Sequence, residues 1–247
     1  FITVKGDMGE AHIQGKIDWS TLYQSFINYT ASKLPTLPGL PRKAKKTDNH
    51  FTADLRLTDS NWLNHIFNIP LEIERPLTFR FSLDDTQNQI NLLGRAPIIS
   101  YEGKRYSNAQ IDITTDVDTM RYDVKVTKEM DDGGALDLNL SGQAVDNNLS
   151  TSLLWNNNAP SRDSLLSMHG VINTITQLYE NEEGKAEAHI RVLPSRMMVH
   201  GTPWTLEPCD ILYSSKRLMV DHFSLNHNKQ HLIIDGSATI EDRKSVV

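Results

Sequence analysis

The sequence predicts a mostly β protein: a long antiparallel meander, with one long and one short amphipathic helix in its N-terminal third. Three observations carry this reading. Apolar and polar residues alternate with period two through most of the 247 residues. Short clusters of Gly, Asn, Asp and Ser break the alternation at roughly the spacing of successive strands. Three- and four-residue spacing, the mark of a helix, appears only twice. Successive strand side chains point to opposite faces, so alternation of this kind makes one face apolar and the other wet.

Phe1–Lys5 and Ala11–Ile17 read as a hairpin turning through Gly6, Asp7, Met8 and Gly9. Trp19, Leu22, Tyr23, Phe26, Ile27, Thr30 and Leu34 then form one helical stripe. That spacing predicts a helix over 18–34, N-capped by Asp18 and ended by Pro35. The linker 35–49, with Pro35, Pro38, Gly39 and Pro41, continues neither element. His50–Leu57 restores the strand pattern. A second helix follows over 59–68, capped by Asp59 or Ser60, with Trp62, Leu63, Ile66 and Phe67 on one side and Pro70 closing it. Residues 1–75 thus form a β portion with a helical insertion.

Residues 76–247 read as a continuous meander. Leu77, Phe79, Phe81 and Leu83 share one parity. So do Leu136, Leu138 and Leu140; Ala186, Ala188, Ile190 and Val192; and Leu232, Ile234, Gly236, Ala238 and Ile240. Turns fall at Asp84–Asn88, Glu102–Lys104, Asp131–Gly134, Asp146–Asn148, Glu180–Gly184, Ser214–Lys216 and Asn226–Lys229. No helical pattern alternates with strands beyond residue 70, so no parallel crossover is needed. Apolar residues make up 38% of the chain, and replacing Tyr by Gly in that count gives about 40%, below the ~45–50% of ordinary domains. A lean chain with long amphipathic strands points to a thin core, a single curved layer. A sandwich would bury the apolar face against a second sheet, whereas a strongly curved sheet would fold it into a trough.

The net charge of −6 and pI near 5.8 argue against nucleic acid, which needs clustered cations. The one basic cluster, Arg42, Lys43, Lys45 and Lys46, reads as a solvated loop. Cys209 is the single cysteine, so no intrachain disulfide forms. No stretch has the length of a membrane span, and no signal peptide is visible. Both ends fall inside or just after strand pattern, which suggests an internal piece of a longer chain.

No catalytic constellation emerges. His222, His227 and His231 straddle a turn without a carboxylate or thiol at ligand spacing, so no metal or cofactor is expected. Asp112, Asp116 and Asp118 have even spacing opposite apolar Ile111, Ile113 and Val117, which places them on the solvent face. Asp131, Asp132, Gly133 and Gly134 fit a hairpin turn better than a calcium loop. Ser107, Ser141 and Ser167 lack a nucleophile elbow, and no Gly-rich phosphate loop exists. A continuous apolar surface along many strands could instead hold acyl chains, because hydrophobic attraction scales with area and needs no directional partner.

The stretch Leu138–Asn157, reading LNLSGQAVDNNLSTSLLWNN, resembles the strand–turn–strand of bacterial envelope proteins of the TamB-like family, within the wider AsmA-like repeating-β-groove superfamily. Val199–Pro208, Ile211–Tyr213, Leu218–His227 and Leu232–Ala238 are similar to the version found in Bacteroidetes-type bacteria. Ile17–Arg56 is similar in layout: strand, amphipathic helix, proline-rich linker, lysine cluster, strand. The resemblance implies a U-shaped, taco-like sheet with an apolar interior. The parent protein would be anchored in the inner membrane and span the periplasm of a Gram-negative cell envelope. Its function would be non-enzymatic conduction of phospholipid to the outer membrane.

On that reading Phe79, Phe81, Leu136, Leu138, Leu140, Leu153, Trp155, Ile190 and Ile234 line the groove, and Trp19, Leu22, Tyr23 and Phe26 mark a helix capping it. The expected partners are phospholipid acyl chains, the rest of a longer chain, and an Omp85-type outer-membrane barrel. Two alternatives stand beside it. One is a scaffold for outer-membrane protein translocation and assembly with such a barrel. The other is a closed β-sandwich that binds carbohydrate through outward Trp19 and Trp155.

Overall fold

The computed structural model describes residues 1–37, 40, 45–130, 133–159 and 166–239. Pro38, Gly39, Pro41, Arg42, Lys43, Asp131, Asp132 and Ile240, and the side chains of Leu63 and Phe67, lie outside the described part.

The chain begins with β1 (Ile2–Gly6), β2 (Gly9–Lys16), α1 (Leu22–Lys33), β3 (His50–Leu57), α2 (Asn61–Phe67), β4 (Leu71–Ile73) and β5 (Leu77–Asp84). Longer strands follow: β6 (Gln89–Tyr101), β7 (Lys104–Thr115), β8 (Met120–Glu129), β9 (Ala135–Val145), β10 (Asn148–Asn156) and β11 (His169–Glu180). The last are β12 (Ala186–Val192), β13 (Ser195–Val199), β14 (Thr202–Leu206), β15 (Cys209–Ser214), β16 (Arg217–His227) and β17 (Gln230–Thr239). All seventeen belong to one antiparallel sheet.

The pairing is a meander. β1 pairs with β2, β2 with β3 and β3 with β5, while β4 and β5 lie end to end along β6. From β6 to β11 each strand pairs with the next. β12 and β13 share the far side of β11. They fold back on β15 and β14, β16 spans both of those, and β17 follows. Pro194 and Pro208 lie at the two breaks in this hairpin, where a residue without an N–H cannot join the ladder.

α1 begins later than the stripe predicts. Asp18 Oδ1 accepts hydrogen bonds from the Ser20 amide (3.0 Å) and hydroxyl (2.6 Å), and the Thr21 amide reaches back to the Asp18 carbonyl. Asp18 therefore closes a turn, and Thr21 holds the N-cap position without a side-chain cap. The phase differs too. The fully buried positions of α1 are Ser25, Tyr29 and Lys33, two of them polar, because the sheet rim supplies their partners. Ser25 Oγ donates to Asp85 Oδ2 (2.9 Å) and accepts from Asn49 Nδ2 (2.9 Å). Lys33, 3% exposed, donates to the Val117 carbonyl at 2.9 Å. α2 also starts inside its predicted range, with Asp59 Oδ1 accepting from the Asn61 amide.

Two core clusters follow α1. Tyr29 packs with Phe51 and Ala53 on β3, Leu83 on β5 and Ile90 on β6. Leu34, one residue past the helix, packs with Ala144 on β9, Leu178 on β11 and Ala188 on β12. A third cluster joins Val192, Leu206 and Cys209 beneath the proline breaks.

Candidate functional site: an apolar face aligned across the sheet

Register turns local alternation into a surface. Reading straight across ten neighbouring strands gives Val4, Ala11, Leu55, Phe79, Gly94, Ile111, Val124, Leu140, Leu153 and Ile172. Every member is apolar or glycine. One residue along, the row reads Lys5, Glu10, Arg56, Thr78, Arg95, Gln110, Lys125 and Asn139, polar over eight strands, before Leu154 and Val171 end it. Over those eight strands the pleat therefore separates the two chemistries onto opposite faces. A parallel apolar row runs Met120, Ala144, Leu149, Thr176, Ile190, Ile211, Val220 and Gly236, broken only by Thr176.

All nine predicted lining residues fall on this one face. Leu138 faces Trp155 and Leu140 faces Leu153; Ile234 faces Phe223 at the far edge. Three aromatic side chains crowd glycines on it. A Cβ at Gly94 would meet the Phe79 ring at 2.6 Å, one at Gly142 the Tyr122 hydroxyl at 2.4 Å, and one at Gly170 the Trp155 indole at 2.5 Å. The face is not sealed: Leu140 and Leu153 each remain 39% exposed in its middle.

The four predicted capping residues divide. Leu22 packs against the Tyr29 cluster, and the Phe26 ring lies 5.8 Å from that of Phe81. Trp19 and Tyr23, 64% and 77% exposed, point away. Tyr29, which the stripe omits, fixes the helix: its hydroxyl is 2.6 Å from Thr115 Oγ1. Thr115 spends its own proton on the Ile90 carbonyl, so Tyr29 is the donor. Burial raises the Tyr29 phenol above its usual value, opposed by the Thr115 contact.

The candidate titratable groups lie off this face. Asp112 lies on the polar face opposite Asp123, whereas Asp116 and Asp118 belong to the β7–β8 turn. His227 Nδ1 donates to the Pro203 carbonyl at 2.6 Å, and its ring lies 5.6 Å from that of Trp204, tilted by 45°. A bulge between Val220 and Phe223 sets His222 between Asp221 and Asp235, with donor atoms of all three within 4.8 Å. The Asp221 hydrogen bond, then the charges of Asp235 and Asp221, raise the His222 imidazole above its usual value. Sequence spacing missed this trio because the bulge and the β17 register assemble it. The buried Cys209 thiol is pushed up by burial and then by Asp210 and Asp221, which makes it a poor nucleophile.

No family model, curated protein or solved structure matches the chain. Among the described residues no helix is long and apolar enough to cross a membrane, which says nothing of strands.

Proposed function

We propose that this chain is a non-enzymatic segment of a periplasm-spanning, TamB-like protein that conducts phospholipid between inner and outer membranes along a hydrophobic β-groove. The observation that carries the proposal is the ten-strand apolar row with its half-open centre at Leu140 and Leu153. Such a surface attracts alkyl chains at ~25 cal/mol per Å² without fixing their position, as sliding requires.

The contacts of α1 support a groove rather than a plane. In a flat sheet, β3 and β12 would stand eight strand spacings apart, about 38 Å at ~4.8 Å each. Tyr29, which shares a core cluster with Phe51 and Ala53 of β3, and Leu34, which shares one with Ala188 of β12, are five residues apart, about 7.5 Å along a helix. A sheet bent around α1 with its apolar face inward reconciles the two. On this reading α1 caps one end of the groove.

Native mass spectrometry of the purified chain, with lipid extraction, tests the proposal. Co-purifying phospholipid that is lost in Leu140→Glu is expected. Lipid-free protein from a lipid-rich host would overturn it.

One observation favours a second reading, a scaffold for outer-membrane strands with an Omp85-type barrel. All ten residues of β17 are exposed, and among the described residues it pairs on one side only, an edge open to strand addition. Crosslinks from β17 to nascent barrel proteins, with none to lipid from Leu140, would select that reading.

A further inference from the structure

We propose that the polar face of the sheet carries a phosphate-binding site between Arg56 and Arg95. A hollow of about 710 Å³ opens over β1, β2, β3, β5 and β6. Its walls include the row Lys5, Glu10, Arg56, Thr78 and Arg95, aligned by strand register. The neighbouring row contributes Asp54 and Arg80. Four cations therefore face two carboxylates, an excess of two positive charges on a chain whose net charge is −6.

The carboxylates are already engaged. Arg80 Nε donates to Asp54 Oδ1 at 2.7 Å, and Glu10 lies 4.0 Å from Lys5 Nζ. Arg56 and Arg95 have no carboxylate partner among the described residues. They flank Thr78 on either side, two strand spacings apart, about 9.6 Å, a gap that two arginine side chains can close over the hydroxyl. Each guanidinium offers a planar fork of donors. A carboxylate has two oxygens and fills one fork; a phosphate has enough acceptor oxygens for both forks and the Thr78 hydroxyl. Ala11, Leu55 and Phe79 also border the hollow, but Arg56, Thr78 and Arg95 belong to the row of opposite parity, so the site stands or falls separately from the acyl-chain groove. The phosphate belongs either to a soluble phosphomonoester or to a lipid headgroup.

Calorimetric titration of the full chain with inorganic phosphate at low salt is the test. Wild type is expected to bind, and Arg56→Gln and Arg95→Gln each to weaken binding about tenfold or more. Arg95→Lys, which keeps the charge and loses the fork, should fall between. Flotation with phosphatidic-acid vesicles, with and without competing glycerol 3-phosphate, separates the two sources. Absent phosphate binding, or binding unchanged in both glutamine variants, overturns the proposal. Both side chains are exposed, so the variants fold, and Leu140→Glu should leave phosphate binding intact.

Discussion

The indole of Trp155 lies over Gly170, its direct partner on the next strand. The space a Cβ would need is already filled, with Cζ2 2.5 Å away and the Met197 side chain 2.6 Å away. The indole and Met197 together leave room for glycine alone. Gly170→Val should therefore destabilise the fold by about 1–3 kcal/mol through overpacking. Urea unfolding followed by circular dichroism measures this, and Trp155→Ala in the same chain should relieve part of the cost.

Leu153 and Leu154 make an internal control for the groove. They are neighbours in sequence with opposite faces: Leu153 pairs with Leu140 and Leu154 with Asn139. A photoreactive phenylalanine at 153 should crosslink phospholipid in cells, and one at 154 should not. Equal yields from both positions would remove the case for a one-sided lipid surface.

Asn49 is 1% exposed and ties α1 to the rim. Its Oδ1 accepts from the Asp18 amide at 2.6 Å, its amide donates to Asp85 Oδ2, and its Nδ2 donates to Ser25. Asn49→Ala strands several buried groups, which costs about 1–3 kcal/mol. Hydrogen exchange should accelerate selectively in α1 while the amides of β7–β9 stay protected.

At the other end of α1, Asn147 binds the chain after the helix. Its Oδ1 accepts from the amide and hydroxyl of Thr36, each at 2.9 Å, and its own amide donates to the Lys33 carbonyl. Its φ of 62° suits asparagine or glycine. Asn147→Gly keeps the turn and loses the tether, so it should loosen Leu34 with a smaller loss of global stability than Asn147→Val, which also strains the backbone. Comparing the two melts isolates the side-chain contribution.

His222 supplies the pH prediction. Its partners Asp221 and Asp235 raise its pKa in the folded chain, so folding favours the protonated form. That stabilisation is present in full below the unfolded-state value, near 6.5, and fades as pH rises through the folded one. Proton NMR titration should place the imidazole above its ordinary value and return it toward that value in Asp221→Asn.

The strand alternation, turns such as Glu102–Lys104 and Asp146–Asn148, and the choice of which parity is apolar were legible because they are local properties, whereas the β7–β8 turn at Asp116–Thr119 was read as strand. Leu136, Leu138 and Leu140 must share a face in any strand, and Asp146–Asn147 takes the left-handed turn it needs from its own side chains. The helix was harder to read. Period alone favoured Trp19 and Tyr23, yet Ser25, Tyr29 and Lys33 are buried, because partners 24 to 86 residues away satisfy their polar atoms.

The sequence by itself determined that this protein is an antiparallel β meander with one apolar face, since side-chain period and turn chemistry act over a few residues. Only the tertiary structure decided that ten strands align their apolar residues in one row and that Tyr29 and Leu34 enter two different core clusters. It also decided that Arg56 and Arg95 share a hollow. These are matters of register and long-range contact, in which a slip of one residue would move every side chain to the other face.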